Sequence, residues 1–98
     1  MAKEAVLSAE ALEKATEGLA GWELVGGELV RVVEFRDFVA AMEFVNRVAE
    51  QAEAAGHHPD IDIRYNKVRL ALVTHDSGGI TAKDVEMAAA LSGDGGAT

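Results

Sequence analysis

The chain is expected to fold as one α+β domain of order α-β-β-α-β-β-α, a four-stranded antiparallel sheet with its helices packed on one face. Three observations predict this. Two stretches, Trp22 to Phe35 and Ile61 to Thr74, alternate apolar and polar residues, and each is broken near its middle by a turn signal, Gly26-Gly27 or Asn66-Lys67. Between them, apolar residues recur at helical spacing from Phe38 to Ala52. A shorter helical pattern stands at each end. At 98 residues the chain suits a single core over 1–98, without room for two.

The elements follow in order. Ser8 caps a first helix reaching about Thr16, with Glu10 in its first turn and Ala11, Leu12, Ala15 and Leu19 on its apolar side. Gly18 and Gly21 end it. Trp22 to Val25 is a short strand. Glu28 to Phe35 is a longer one, with Leu29, Val33 and Phe35 on one face and Val30 and Val32 on the other. Asp37 caps the longest helix, whose stripe is Phe38, Ala41, Met42, Val45, Val48, Ala49 and Ala52, and Gly56 stands where a left-handed terminating glycine belongs. Pro59 sets the chain extended into a strand through Ile61, Ile63 and Tyr65. The last strand begins at Val68, Leu70 and Leu72 and runs to about Thr74. Thr81 to Asp84 reads as a capping box opening a helix that ends near Leu91, and residues 92–98 read as a Gly-rich, frayed tail.

Charge and composition exclude several function classes. Nine basic against 17 acidic residues leave a net charge of −8, which repels a phosphate backbone and argues against direct nucleic-acid binding. No segment approaches the ~20 apolar residues of a membrane span, and the start of the chain does not read as a signal peptide. There is no cysteine, which rules out disulfides and thiolate metal sites and fits a cytoplasmic setting.

The chemistry is concentrated between Glu53 and Asp84. After Glu53 come three spacers and His57-His58-Pro59; five residues then precede Tyr65, nine more precede His75, and eight more precede Asp84. All three histidines, the only proline and the only tyrosine fall inside this stretch. Neighbouring residues in a short, Pro-stiffened loop point different ways, so His57 and His58 are expected to have different tasks. Glu53, one helical turn before His57, is placed to hydrogen-bond an imidazole and fix its tautomer, and reads equally as a solvated helix-face residue. Asp84 is read first as the reciprocal acid of the Thr81 capping box, in preference to a role in chemistry. Tyr65 is read as core and cleft wall, and Trp22 as either core or a stacking surface.

This order of residues resembles the signature of the pterin-4a-carbinolamine dehydratase family, and the resemblance spans about Leu12 to Leu91. It implies elimination of water from a 4a-hydroxytetrahydropterin, such as 4a-hydroxytetrahydrobiopterin, in pterin cofactor recycling. The leaving hydroxyl must be protonated and the N5 proton must depart, and imidazole, with a reference pKa of about 6.5, suits either transfer. By the resemblance, His57 and His75 are the acid/base groups with Glu53 tuning His57, while His58, Pro59, Trp22 and Asp84 bind substrate. No metal or redox cofactor is implied. The partners implied are the reduced pterin and further copies of the chain, as a homodimer or homotetramer; exposed apolar residues such as Val30, Val32 and Phe44 would give the physical motive. The competing reading is a non-catalytic pterin-binding, dimerisation or transcriptional coactivator module, which would have no reason to hold the full histidine set. A tri-histidine metal site is disfavoured because adjacent residues seldom converge on one ion.

Overall fold

Three helices and four strands follow in the expected order. The structure, a computed structural model, describes residues 5–92. Within them lie α1 (Ala9–Glu17), β1 (Trp22–Val25), β2 (Glu28–Glu34), α2 (Phe38–Ala55), β3 (Asp60–Arg64), β4 (Lys67–Leu72) and α3 (Ala82–Ser92), with a 3₁₀ turn at His75–Ser77 between β4 and α3. Local chemistry sets the boundaries. The Ser8 hydroxyl accepts from Ala11 N at 3.1 Å and the Asp37 carboxylate from Ala40 N at 2.8 Å, each satisfying a donor that the helix leaves unpaired. α2 ends in a Schellman motif. Gly56 takes φ 67°, its N–H bonds Glu53 O at 3.3 Å, and the N–H of His57 bonds Ala52 O at 3.2 Å. The glycine that stops the helix therefore also fixes the backbone of the first histidine.

The sheet has strand order β1-β2-β4-β3, antiparallel throughout. Its register runs from Leu29↔Leu72 to Glu34↔Lys67 between β2 and β4, and from Asp60↔Ala71 to Arg64↔Lys67 between β3 and β4. The end of β4 thus lies beside the start of β3, so Val73–His75 leaves the sheet alongside His57–Pro59. That adjacency builds the site.

The core lies between one sheet face and the helices. Leu29, Val33, Val68, Leu70 and Leu72 meet Phe44, Val48, Ala88 and Leu91, and Phe35 sets its ring 5.1 Å from Phe44. The buried arc of α2 holds Ala40, Ala41, Phe44, Val45, Val48 and Ala52, rotated from the stripe that spacing suggests. Phe38 is 47% exposed, while Phe44, the larger payload near the arc's centre, is fully buried. Val30 is buried as well, so of the three residues expected to stand exposed only Val32 does, joined by Phe38 and Val39.

Two further expectations are corrected. The Arg64↔Lys67 pair makes the turn Tyr65-Asn66, one residue earlier than Asn66-Lys67. Tyr65 occupies a left-handed position at φ 54° and is 65% exposed, so it walls no cleft. Asn66 pins this turn to the end of β2, donating from Nδ2 to Phe35 O at 2.7 Å and accepting from Phe35 N at 2.8 Å. Ser92, placed in the frayed tail by sequence, is the last residue of α3: its Oγ accepts from Trp22 Nε1 at 2.8 Å and donates to Ala88 O at 2.7 Å. The rest of that tail, 93–98, lies outside the described residues. Among the described residues no helix is long and apolar enough to cross a membrane.

Candidate active site

Three chain segments meet at one end of the sheet: the loop after α2, the segment after β4 and the first turn of α3. They enclose a cavity of about 320 Å³ lined by Gly56, His57, His58, Val73, Thr74, His75, Asp76 and Lys83. All three histidines face it, as the sequence order anticipates.

The partners of the two adjacent histidines differ from the expected ones. His58 Nε2 lies 2.5 Å from Glu53 Oε2, and both side chains are mostly exposed. His57 turns inward, its side chain 14% exposed, and its Nε2 lies 2.6 Å from Asp84 Oδ1. Glu53 therefore holds His58, and the reading of Glu53 as the group that tunes His57 is corrected. The physical reason is the Schellman turn: it sends His57 under the helix end toward α3 and leaves His58 to fold back over the last turn of α2.

Asp84 is fully buried. A buried carboxylate is costly unless its acceptor positions are filled, and here they are. Oδ2 accepts from Thr81 N at 2.9 Å and from the Thr74 hydroxyl at 2.8 Å, and Oδ1 faces His57. The Thr81 hydroxyl lies 2.7 Å from Thr74 Oγ1 and accepts from Lys83 N at 3.3 Å. With Thr74 donating to Asp84, Thr81 must donate to Thr74, so each proton in the chain has one direction. An acceptor-only carboxylate then requires that His57 carry a proton on Nε2, which leaves Nδ1 as the ring nitrogen that Asp84 does not hold.

Capping and chemistry are thus not alternatives at Asp84: one oxygen closes the capping box, the other orients a histidine. Asp84 does not line the cavity, so the expectation that it touches substrate there is corrected; its contacts with lining residues are those with His57 and Thr74. Pro59 is half-buried and steers the chain into β3 without lining the cavity. Trp22 is 4% exposed and pairs with Arg31 near the middle of β2, away from the histidines, so within the chain it is core and no stacking surface for the cavity. Sequence reasoning passed over Thr74 and Lys83. Thr74 carried a readable signal, a hydroxyl one residue before His75; Lys83 carried none.

A family model for Pterin 4 alpha carbinolamine dehydratase matches residues 5–93. The chain belongs to this family. A protein of Acidobacterium capsulatum provisionally named a pterin-4-alpha-carbinolamine dehydratase is 62% identical over 87 residues, covering 89% of this chain and 95% of its own length. A crystal structure of a transcriptional coactivator/pterin dehydratase from Brucella melitensis superposes with a TM-score of 0.86 at 32% identity, over 90% of this chain and 96% of that one. A pterin dehydratase-like protein identified as a RuBisCO assembly factor in the alpha-carboxysome shares the fold alone, with a TM-score of 0.66 at 21% identity over 80% of this chain and 93% of that one. The family model thus spans every residue that lines the histidine cavity.

Proposed function

We propose that the chain is a hydro-lyase of pterin cofactor recycling in the cytoplasm, a 4a-hydroxytetrahydrobiopterin dehydratase. The C4a–O bond breaks as the hydroxyl takes a proton and leaves as water. The N5 proton passes to a base, and its electron pair forms the C4a=N5 bond of the quinonoid dihydropterin. The elimination is redox-neutral and needs one acid and one base. His57, through Nδ1, and His75 are the acid/base pair; His58, held by Glu53, binds substrate.

The observation that carries this reading is the His57–Asp84 pair: an imidazole whose tautomer is set by a buried carboxylate, at the wall of a cavity that two more imidazoles face. Supporting it is membership of a family described as dehydratases. The test is an assay with freshly generated 4a-hydroxytetrahydropterin. Catalytic amounts of the protein should release quinonoid dihydropterin with a turnover of about 1–10³ s⁻¹. A rate equal to that in buffer would overturn the reading.

A second reading, a non-catalytic pterin-binding or coactivator module, is favoured by the coactivator role named for the Brucella neighbour. It predicts pterin or protein binding with no acceleration in the same assay. Under either reading the protein is proposed to be a homodimer or homotetramer. Val32 at 60%, Phe38 at 47% and Val39 at 62% exposure give the motive, since a lone subunit would leave them in water. Light scattering at micromolar concentration should give a multiple of 10.3 kDa, and the subunit mass itself would exclude self-association.

A further inference from the structure

Thr74 stands between the end of β4 and the turn that carries His75, and both its backbone and its side chain are engaged. It bridges Gly79 across that turn: its N–H donates to Gly79 O at 3.0 Å, and its carbonyl accepts from Ser77 N and Gly78 N at 3.0 Å each. These bonds close the 3₁₀ turn His75–Ser77 and fix the backbone of His75. The side chain is buried. Its Oγ1 donates to Asp84 Oδ2 at 2.8 Å and lies 2.7 Å from Thr81 Oγ1.

The two donors on Asp84 Oδ2 are not equivalent. Thr81 N belongs to the same capping box as Asp84 and moves with the first turn of α3. Thr74 comes from another segment, the one after β4. The last torsion of an aspartate side chain has broad minima, so hydrogen bonds, more than the rotamer, set the plane of the carboxylate. One donor can be met over a range of rotations; two donors from different segments on one oxygen leave far less freedom. With Oδ2 held in this way, Oδ1 is directed at His57 Nε2.

We propose that Thr74 is a positioning residue for both proton-transfer histidines. Its hydroxyl sets the Asp84 carboxylate that orients His57, and its peptide groups hold the turn that carries His75. The assignment rests on the dehydratase reading above. The one hydroxyl proton goes to Asp84, so Thr74 has none to offer a substrate and acts through the carboxylate.

The test compares three variants, with rates taken well below each melting temperature. Thr74→Val removes the hydroxyl and keeps the β-branched shape and both peptide groups. Its kcat should fall about ten- to a hundredfold, the cost of a misplaced reacting group, with KM within about twofold of wild type. Thr74→Ser returns the hydroxyl and should bring kcat back to within about threefold of wild type. Thr81→Val is the control for a purely structural effect. It removes a buried hydroxyl from the same network, and the acceptor of Lys83 N with it, yet leaves Thr81 N and the Thr74 hydroxyl on Asp84. It should melt lower than wild type while kcat stays within about threefold. Imidazole nitrogen NMR shifts, read where the ring is neutral, give a second readout. The His57 proton should sit on Nε2 in wild type and Thr81→Val and shift in part to Nδ1 in Thr74→Val. Wild-type kcat or an unchanged His57 tautomer in Thr74→Val, or an equal loss of kcat in Thr81→Val, would overturn the positioning role. A defect confined to KM would overturn it too, by placing the hydroxyl on the substrate. Failure of wild type to turn over 4a-hydroxytetrahydropterin would overturn the dehydratase reading instead, and the tautomer in Thr74→Val would then decide alone whether Thr74 orients His57.

Discussion

Asp84→Asn is expected to slow turnover by about 10²–10⁴-fold and to lower the melting temperature of the same protein. The rate falls because an amide in place of the carboxylate can meet His57 Nε2 with an N–H. That forces the imidazole into the other tautomer, with its proton on Nδ1 in place of the lone pair held there in wild type. Stability falls because Oδ2 of Asp84 accepts from both Thr81 N and the Thr74 hydroxyl in a fully buried position. With the amide oxygen toward Thr81 N and Thr74 those donors stay paired, but bonds to a charged acceptor become bonds to a neutral one, a cost of about 1 kcal/mol. For a domain of this size each kcal/mol lowers the melting temperature by about 4–8 °C. A side chain serving only as a helix cap would move melting alone; one serving only in chemistry would move the rate alone. Both are expected here because the two carboxylate oxygens have different partners. Turnover within a few-fold of wild type, measured well below the variant's melting temperature, would return Asp84 to a capping role.

His57→Ala and His75→Ala should each lower kcat by about 10²–10⁴-fold, the usual worth of positioned proton transfer, and they should differ in stability. His57 is the partner of Asp84 Oδ1, and its removal leaves a buried oxygen unpaired, at about 1–3 kcal/mol. His75 is exposed and leaves no such group behind, so its variant should melt with wild type. Kinetics and thermal melts on the two variants check this together. Wild-type rates in both would remove the histidines from the mechanism, and equal stability in both would mean that Asp84 does not depend on His57.

How much of this was legible in the sequence depends on distance along the chain. Ser8, Asp37 and Gly56 act on backbone within a few residues, and each stands where its chemistry requires. Strand alternation likewise placed Leu29, Val33, Leu70 and Leu72 in the core. The site was legible as a set and illegible as a network. Glu53 is four residues from His57 and five from His58, and helical spacing favours the first; only the left-handed turn at Gly56 decides for the second. His57 and Asp84 are 27 residues apart, and their contact depends on how α3 packs beneath the end of α2, which no local pattern encodes. Tyr65 shows the opposite limit: a residue with strand propensity sits in a left-handed turn because the β3–β4 register puts it there. Trp22 was read two ways, and its hydrogen bond to Ser92, 70 residues on, joins it to the core.

A double-mutant cycle distinguishes an Asp84 that acts through His57 from one that acts alone. Rates of 4a-hydroxytetrahydropterin dehydration would be measured for wild type, His57→Ala, Asp84→Asn and the double variant, all well below their melting temperatures. Residues that act as a unit lose their effect together, so the double variant should turn over within about twofold of His57→Ala alone. If instead the two losses multiply, Asp84 contributes to the reaction independently of His57, and its role as the group that orients this histidine is contradicted.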